Sequence, residues 1–382
     1  MKKNYESEQD DLYMEDLDRS DEALENDDAE FDDMEFVDLN EETEEEESYR
    51  NGRKQPSRKK KFNIHYIFLL VLAAIVIYAI VKLVIWNIGT KDNTEITQDD
   101  TYDIESMDYI MPLNPKLLEG REDDGVTTVV CFGNAPFADA WGEDTNLAAL
   151  IEAELGEGAK VYNCSVADSY MSALNPAFTT DYAYDAFSFY WLTTVVAVDN
   201  DALVDSAINA LGEVPAELQE SMDTLKAIDF EQVDVIAVMY DASDYLDGRK
   251  TINSDNPTDI QHFTGSLTAG IQLIQQVYPH IRIMVMSPTY AYALDENGEY
   301  QSSDIVDYGM GSLATYAILE SNVCYENSVS YIDNIYASVN ADNAEDYLVD
   351  HIHLNEEGRK LLAERFAECL NMYQGVAAEN AE

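Results

Sequence analysis

The feature that most constrains this chain is an apolar run at residues 62–86, FNIHYIFLLVLAAIVIYAIVKLVIW. It carries no charge between Tyr66 and Val81, and it lacks the polar face that a helix packed on a soluble core would show. About 25 residues at about 1.5 Å per residue are enough to span the roughly 30 Å core of a bilayer. The run therefore predicts one transmembrane helix in contact with membrane lipid.

The charges that flank this run predict its orientation. Basic residues crowd positions 49–61 on the N-terminal side, whereas only Lys91 lies at a similar distance beyond the run. Because positive charge stays on the cytoplasmic side, the N-terminus is expected inside the cell and the C-terminal part outside. A cleaved signal peptide is disfavoured, since the run is long, lies far from the N-terminus and is followed by no small-residue cleavage pattern. We expect a single-pass cell-membrane protein with an extracellular domain.

The chain is strongly acidic, with a formal net charge of −54 over 382 residues. This charge excludes nucleic-acid binding, which needs a basic surface. Acids dominate residues 1–48, which cannot bury enough apolar area to fold and are expected to form a disordered cytoplasmic tail. Because apolar residues are mixed with the acids, docking of a basic cytoplasmic partner to this tail remains open.

Composition divides the rest of the chain into four further segments. Residues 49–61 form a basic juxtamembrane segment, and residues 87–123 read as a polar stalk that we expect to lie against the following domain. Residues 124–373 have the alternating apolar and amphipathic segments of a folded domain, and residues 374–382 are expected to form a loose tail. Four widely spaced cysteines show no C-x-x-C pair, so free buried thiols are favoured over zinc or redox chemistry.

Apolar runs and amphipathic stretches alternate through residues 124–373. The runs predict five buried strands at 126–132, 159–163, 233–240, 281–286 and 329–332, and an Asn297-Gly298 turn predicts a hairpin. Helices are expected at 146–155, 187–198, 215–228, 258–277, 304–319 and 356–372. This alternation predicts a three-layer, doubly wound parallel five-stranded sheet, whose ligands bind at the carboxyl ends of the strands.

Four short segments stand at those strand ends and before the last helix. They are Gly133-Asn134-Ala135, Asn163-Cys164-Ser165, Asp241-Ala242-Ser243-Asp244, and Asp350-His351-Ile352-His353. In this order and spacing they resemble the SGNH hydrolases, also called GDSL esterases, over about residues 124–373. The resemblance implies a flavodoxin-like fold and hydrolysis of esters, including acyl groups on polysaccharides and lipids.

The resemblance also assigns a role to each of these positions. It places the nucleophilic serine at Ala135, the oxyanion donors at Ser165 and Ser243, and the aspartate–histidine dyad at Asp350 and His353. Gly133 and Asp244 match the family pattern, whereas Asn134 replaces an aspartate. Alanine carries no nucleophile, and loss of such a serine costs on the order of 10⁴–10⁶ in rate. Gly133, Asn134, Asp168, Asp241 and Asp244 are further expected to line the cleft.

Three functions remain open at this point. A degenerate domain of the cell envelope would bind a glycan, an acyl ester or a partner protein in the ancestral cleft. An active hydrolase would use His353 and Asp350 to activate water, or another nucleophile. Aspartates at the predicted strand ends could instead bind a hard cation such as Ca²⁺, although helix caps and loops use aspartate in the same way; these aspartates are Asp168, Asp241, Asp244, Asp333 and Asp350. No cofactor is predicted.

Overall fold

The computed structural model describes residues 107–121 and 124–372. The predicted tail at 1–48, the basic segment at 49–61, the membrane span at 62–86 and the loose end at 374–382 lie outside the described residues. Within the two described ranges, no helix is both long enough and apolar enough to cross a bilayer.

A sheet of five parallel strands forms the centre of the described part, as the sequence predicts. Its strand order is β2-β1-β3-β4-β7, so the chain leaves β1 towards one edge and then returns to pair β3 on the other side. An antiparallel hairpin, β5 and β6, surrounds the predicted Asn297-Gly298 turn. The strand bounds are β1 Thr127–Gly133, β2 Ala159–Asn163, β3 Val235–Met239, β4 Arg282–Met286, β5 Tyr292–Leu294, β6 Tyr300–Ser302 and β7 Ser330–Ile332.

Helices cover both faces of this sheet. Their bounds are α1 Ala135–Ala138, α2 Leu147–Leu155, α3 Phe189–Val198, α4 Asp201–Leu211, α5 Ala216–Ala227, α6 Ser243–Leu246, α7 Phe263–Val277, α8 Leu313–Glu326, α9 Asn334–Ala337, α10 Ala344–Tyr347 and α11 Glu356–Asn371. Short 3-10 turns stand at Pro115–Leu118, Thr180–Phe187 and Phe230–Gln232.

The side chains of each strand alternate between two apolar cores, which explains the near-continuous apolar runs in the sequence. Val130 and Phe132 of β1 pack into the larger core with α3, α5, α7 and α8. Val129 and Cys131 of the same strand pack into the second core with α2 and α11. The predicted three-layer arrangement is therefore present. The four cysteines are buried free thiols.

Part of the predicted stalk does lie against the domain. Tyr109 pairs antiparallel with Tyr331 of β7, and the two residues exchange backbone hydrogen bonds of 2.9 and 2.7 Å. Arg365 of α11 holds this segment by donating from Nη2 to both carboxylate oxygens of Asp108, at 2.7 and 2.6 Å. This described part of the stalk thus lies along the edge strand β7, whose unpaired backbone groups would otherwise invite pairing with another chain.

Two predicted helices were misplaced, and local side chains explain why. The helix predicted from residue 258 begins at Phe263, because Asn253 and Asp259 accept backbone N–H groups and hold residues 253–262 in turns. The helix predicted at 304–319 runs from Leu313 to Glu326 instead. There Asp307 accepts the N–H groups of Gly309 and Gly311, both at positive φ, which excludes a helix.

Candidate active-site cleft

The candidate site, which we call the cleft, begins where β1 and β3 end side by side. Gly133 and Met239 are register partners in these strands, and a Cβ added to Gly133 would lie 1.8 Å from the Met239 carbonyl oxygen. Only glycine fits at that contact, so the close approach of the two strands requires a glycine at position 133. The next residue, Asn134, is thereby held at the carboxyl edge of the sheet.

Asn134 ties the ends of three strands together. Its Nδ2 donates to Asp241 Oδ1 at 2.7 Å and to the Ser169 carbonyl at 3.0 Å. Its Oδ1 accepts the Asp241 backbone N–H at 2.8 Å. Both Asn134 and Asp241 are buried, so these bonds form in a low-dielectric environment where they are strong and costly to lose.

Ala135 opens the short helix α1 and is 8% exposed. Its methyl group stands where the resemblance places the nucleophilic hydroxyl. One turn later Asp139 ends this helix and donates its backbone N–H to the Ala135 carbonyl at 2.8 Å. Ala135 and Asp139 therefore lie one above the other on the same side of α1.

The two expected oxyanion donors point to acceptors of the protein itself. Ser165 donates its hydroxyl to Asn163 Oδ1 at 2.6 Å and its backbone N–H to the same oxygen at 3.1 Å. Ser243 donates its backbone N–H to Asp241 Oδ1 at 2.9 Å. A developing oxyanion would have to compete with these acceptors.

His353 and Asp350 form a hydrogen-bonded pair. His353 Nδ1 donates to Asp350 Oδ2 at 2.8 Å, while the backbone N–H groups of Ile352 and His353 donate to Asp350 Oδ1 at 2.9 and 2.8 Å. Burial raises the pKa of Asp350, but these three bonds outweigh it and lower that pKa to about 2. The carboxylate therefore stays ionised, and it orients an imidazole whose side chain is 39% exposed.

Three carboxylates act on His353. Burial lowers the pKa of His353, but the Asp350 hydrogen bond and the charges of Asp139, Asp350 and Asp241 together raise it above its ordinary value. Burial in turn raises the pKa of Asp139 and that of Asp241, and the charge of Asp241 adds to the effect on Asp139. The cleft is therefore a place where protons and positive charge are favoured.

Two residues expected in the cleft hold loops instead. Asp244 is buried and accepts the backbone N–H groups of Met171 and Ser172 at 2.8 and 3.1 Å, which fixes the loop after β2. Asp168 lies on an exposed turn in the left-handed region, with φ +58°, and its charge acts on Tyr184. Asp244 therefore holds that loop, and Asp168 belongs to its exposed surface.

The aspartates considered for a cation do not gather at one point. Asp333 caps α9 by accepting the Tyr336 N–H at 3.1 Å and also accepts the Met107 N–H. Over residues 107–121 and 124–372, no three His, Cys, Asp or Glu side chains converge closely enough to hold a metal ion. The structure thus gives the cation hypothesis no support.

Sequence reasoning missed two residues of this cleft. Asp139 was overlooked because its charge reaches His353 only through the tertiary fold, although its spacing of four from Ala135 on a helix was a usable signal. Asn163 stands in one of the four strand-end segments, but the sequence pattern assigns it no role. Its Nδ2 donates to the Phe137 carbonyl at 2.7 Å, and its Oδ1 accepts from Ser165, so it joins α1 to the loop after β2.

Comparisons with known proteins give structural likenesses alone. No protein-family model matches the chain, and no curated protein matches it. A solved protein from Lactobacillus plantarum is 14% identical over 66% of this chain and 99% of its own, with a TM-score of 0.44. A carbohydrate acetylesterase from Sinorhizobium meliloti is 14% identical over 64% of this chain and 99% of its own, with a TM-score of 0.38. An aryl esterase from M. smegmatis is 15% identical over 65% of this chain and 99% of its own, with a TM-score of 0.40. At such scores these likenesses carry no argument about activity, so the interpretation rests on the geometry above.

Proposed function

We propose that residues 124–373 form an SGNH-hydrolase-like domain that binds a ligand in its cleft without cleaving it. The observation that carries this proposal is the use of the cleft's donors. At the serine position stands Ala135, and the donors at the oxyanion positions, Ser165 and Ser243, are already bonded to Asn163 and Asp241. An acyl transfer needs a nucleophile and donors for the oxyanion; Ala135 offers no nucleophile, and these two serines would have to break existing hydrogen bonds in order to donate.

Electrostatics support the same conclusion. A tetrahedral intermediate carries negative charge, which Asp139, Asp241 and Asp350 would oppose. The same carboxylates favour a ligand that brings hydrogen-bond donors, such as the hydroxyl, amide or amine groups of a glycan. An acylated sugar of the cell envelope combines such donors with an ester that the cleft would leave intact.

The alternative of an active hydrolase is supported by one observation, the intact bond between His353 and Asp350. In that case His353 would take a proton from water directly. The raised pKa of His353 weakens this route, because it increases the protonated fraction that cannot act as a base.

One sample separates binding from cleavage. The full chain, in a detergent without a sugar head group, is mixed with a 6-O-acetylated methyl glucoside and followed by ligand-observed NMR. We expect saturation transfer to the sugar, no growth of the free acetate signal, and loss of transfer in His353→Ala. His351→Ala is the matched control. His351 is the neighbouring histidine, and its Nδ1 lies 3.9 Å from Asp350, which is too far for a hydrogen bond.

Two outcomes would reject the proposal. Acetate release that disappears in His353→Ala would establish the hydrolase alternative. Equal saturation transfer in wild type and His353→Ala would show that this ligand does not use the cleft.

We also propose that the domain is held outside the cell by the predicted span at residues 62–86, with residues 1–61 in the cytoplasm. Charge asymmetry across that run supports the orientation. Protease added to intact cells should then digest the domain and spare the acidic tail, as two antibodies against the two parts would report. Digestion of the tail with the domain protected would reverse the assignment.

A further inference from the structure

A pocket separate from the candidate site is lined in part by the loop that follows β2. Its volume is about 350 Å³, and it is lined by this loop, by the 3-10 turn Thr180–Phe187, by the end of α4 and by Arg249. Ser169, whose carbonyl accepts from Asn134, immediately precedes Tyr170 in the pocket wall. None of the residues that line this pocket belongs to the cleft.

Three tyrosines give the pocket its aromatic surface: Tyr170, Tyr182 and Tyr184. Tyr182 is 53% exposed and Tyr184 is 37% exposed. The Tyr184 ring is held edge-on against Phe187, at 5.7 Å between centroids. Rings that are both fixed and open present apolar faces, with a polar hydroxyl at their edge, to a ligand.

Arg249 supplies a fixed donor to the same pocket. Its guanidinium stacks on the Tyr170 ring at 3.4 Å, and Nη1 donates to the Ser172 carbonyl at 3.0 Å. Only 10% of its side chain is exposed, yet Nε has no hydrogen-bond acceptor among the described residues. The stacked ring and the bond to Ser172 hold the guanidinium in one place in the pocket wall.

The charges of the pocket are mixed. Asp185 is fully engaged, because it accepts the N–H groups of Leu174 and Asn175 and the Asn175 side-chain amide. Asp181 is exposed and remains an acceptor for ligand hydroxyls. Arg249 also lies 3.8 Å from Asp247, so its charge is partly balanced. An uncharged ligand rich in hydroxyl groups fits this set better than an anion.

We propose that this pocket binds a neutral pyranose unit of a glycan, with Tyr182 and Tyr184 against its apolar face and Arg249 on its oxygen atoms. Sugar hydroxyls both donate and accept, which matches one guanidinium and one free carboxylate. The volume is within the range of small-ligand pockets. This site is independent of what the cleft binds, and it would hold a glycan chain next to the cleft.

The test uses the full chain in a detergent without a sugar head group, with cellotriose and the N-acetylglucosamine trisaccharide as probes. Both are uncharged, and neither carries the acetyl ester used to probe the cleft. We expect saturation transfer to the ring protons of at least one of them, and about tenfold weaker binding in Tyr182→Ala and in Tyr184→Ala.

Tyr325→Ala is the matched control, because Tyr325 is 65% exposed but lies on α8 and is not part of the pocket lining. His353→Ala is expected to bind both trisaccharides normally, which separates this site from the cleft. The proposal is overturned if neither trisaccharide receives saturation, or if Tyr182→Ala and Tyr184→Ala bind as tightly as the wild type. Both tyrosines are exposed, so these variants are expected to fold, and circular dichroism will check that they do.

Discussion

Asn134 and Asp241 exchange two hydrogen bonds across the carboxyl ends of β1 and β3. Asn134 Nδ2 donates to Asp241 Oδ1 at 2.7 Å, and the Asp241 backbone N–H donates to Asn134 Oδ1 at 2.8 Å. This pair explains why the chain carries asparagine where the resembled family carries aspartate. A second carboxylate at position 134 would face Asp241 at hydrogen-bond distance in a buried site, and two such groups cannot both ionise cheaply.

We therefore predict that Asn134→Asp lowers the free energy of unfolding by about 2–4 kcal/mol at neutral pH. The loss should shrink as the pH falls, because a protonated aspartic acid can donate to its partner. Adding Asp241→Asn should restore much of the stability, since one donor again faces one carboxylate. Urea unfolding at about pH 5 and about pH 8 provides the measurement.

The control for this pair is Asn297→Asp. Asn297 also faces an aspartate, Asp295, but in an exposed turn where solvent screens the repulsion. If both substitutions cost the same, or if the double variant is no better than Asn134→Asp, the paired arrangement does not explain asparagine at this position.

His353 should titrate above its ordinary range, because the Asp350 bond and the nearby carboxylates outweigh burial. A raised folded pKa means that the protonated imidazole stabilises the fold fully below its unfolded pKa of about 6.5. That stabilisation is lost as the pH rises through the folded pKa. His353→Gln should therefore cost more stability at about pH 5.5 than at about pH 8.5.

NMR titration of the His353 ring, assigned by its absence in His353→Gln, measures this pKa directly. Asp350→Asn should lower it, because the substitution removes the largest of the influences that raise it. A His353 pKa at or below the ordinary value in the wild type would show that burial lowers this pKa by at least as much as the carboxylates raise it.

A separate prediction about stability concerns Glu320 of α8, which is buried. It is 1% exposed, and its Oε2 has no hydrogen-bond partner among the described residues. Burial, with the charge of Asp244, raises the pKa of Glu320 well above its usual range. Between the unfolded pKa of about 4.5 and this raised value, the unfolded chain releases a proton that the folded chain keeps, so stability falls as pH rises.

Glu320→Gln should remove that slope and make the protein more stable than the wild type in neutral and alkaline solution. Thermal unfolding followed across that pH window tests it. Glu326→Gln, an exposed position on the same helix, should leave the slope unchanged. An unaltered slope in Glu320→Gln would mean that Glu320 titrates normally in the fold.

The strands were predictable because their signals are local: each is a short apolar run whose alternate residues face two cores. The Asp350–His353 pair was also readable, since three residues of separation let one loop bring them together. The turns at 253–262 and 303–312 were not, because Asn253 and Asp307 draw backbone N–H groups away from helices that the apolar pattern favours. The Asn134–Asp241 pair and the action of Asp139 on His353 join distant segments, so local patterns do not predict them; only the spacing of four between Ala135 and Asp139 is a local signal.

The most direct test of the account concerns Ala135. Wild-type full chain should show little or no turnover of 4-nitrophenyl acetate, because no acyl-enzyme can form at Ala135. Ala135→Ser alone should gain little while Ser243 donates to Asp241, since a missing oxyanion donor costs roughly 10²–10³ in rate. Ala135→Ser with Ser243→Asn should gain more than the product of the two single gains. Ordinary esterase turnover in the wild type, lost in His353→Ala, would contradict the account.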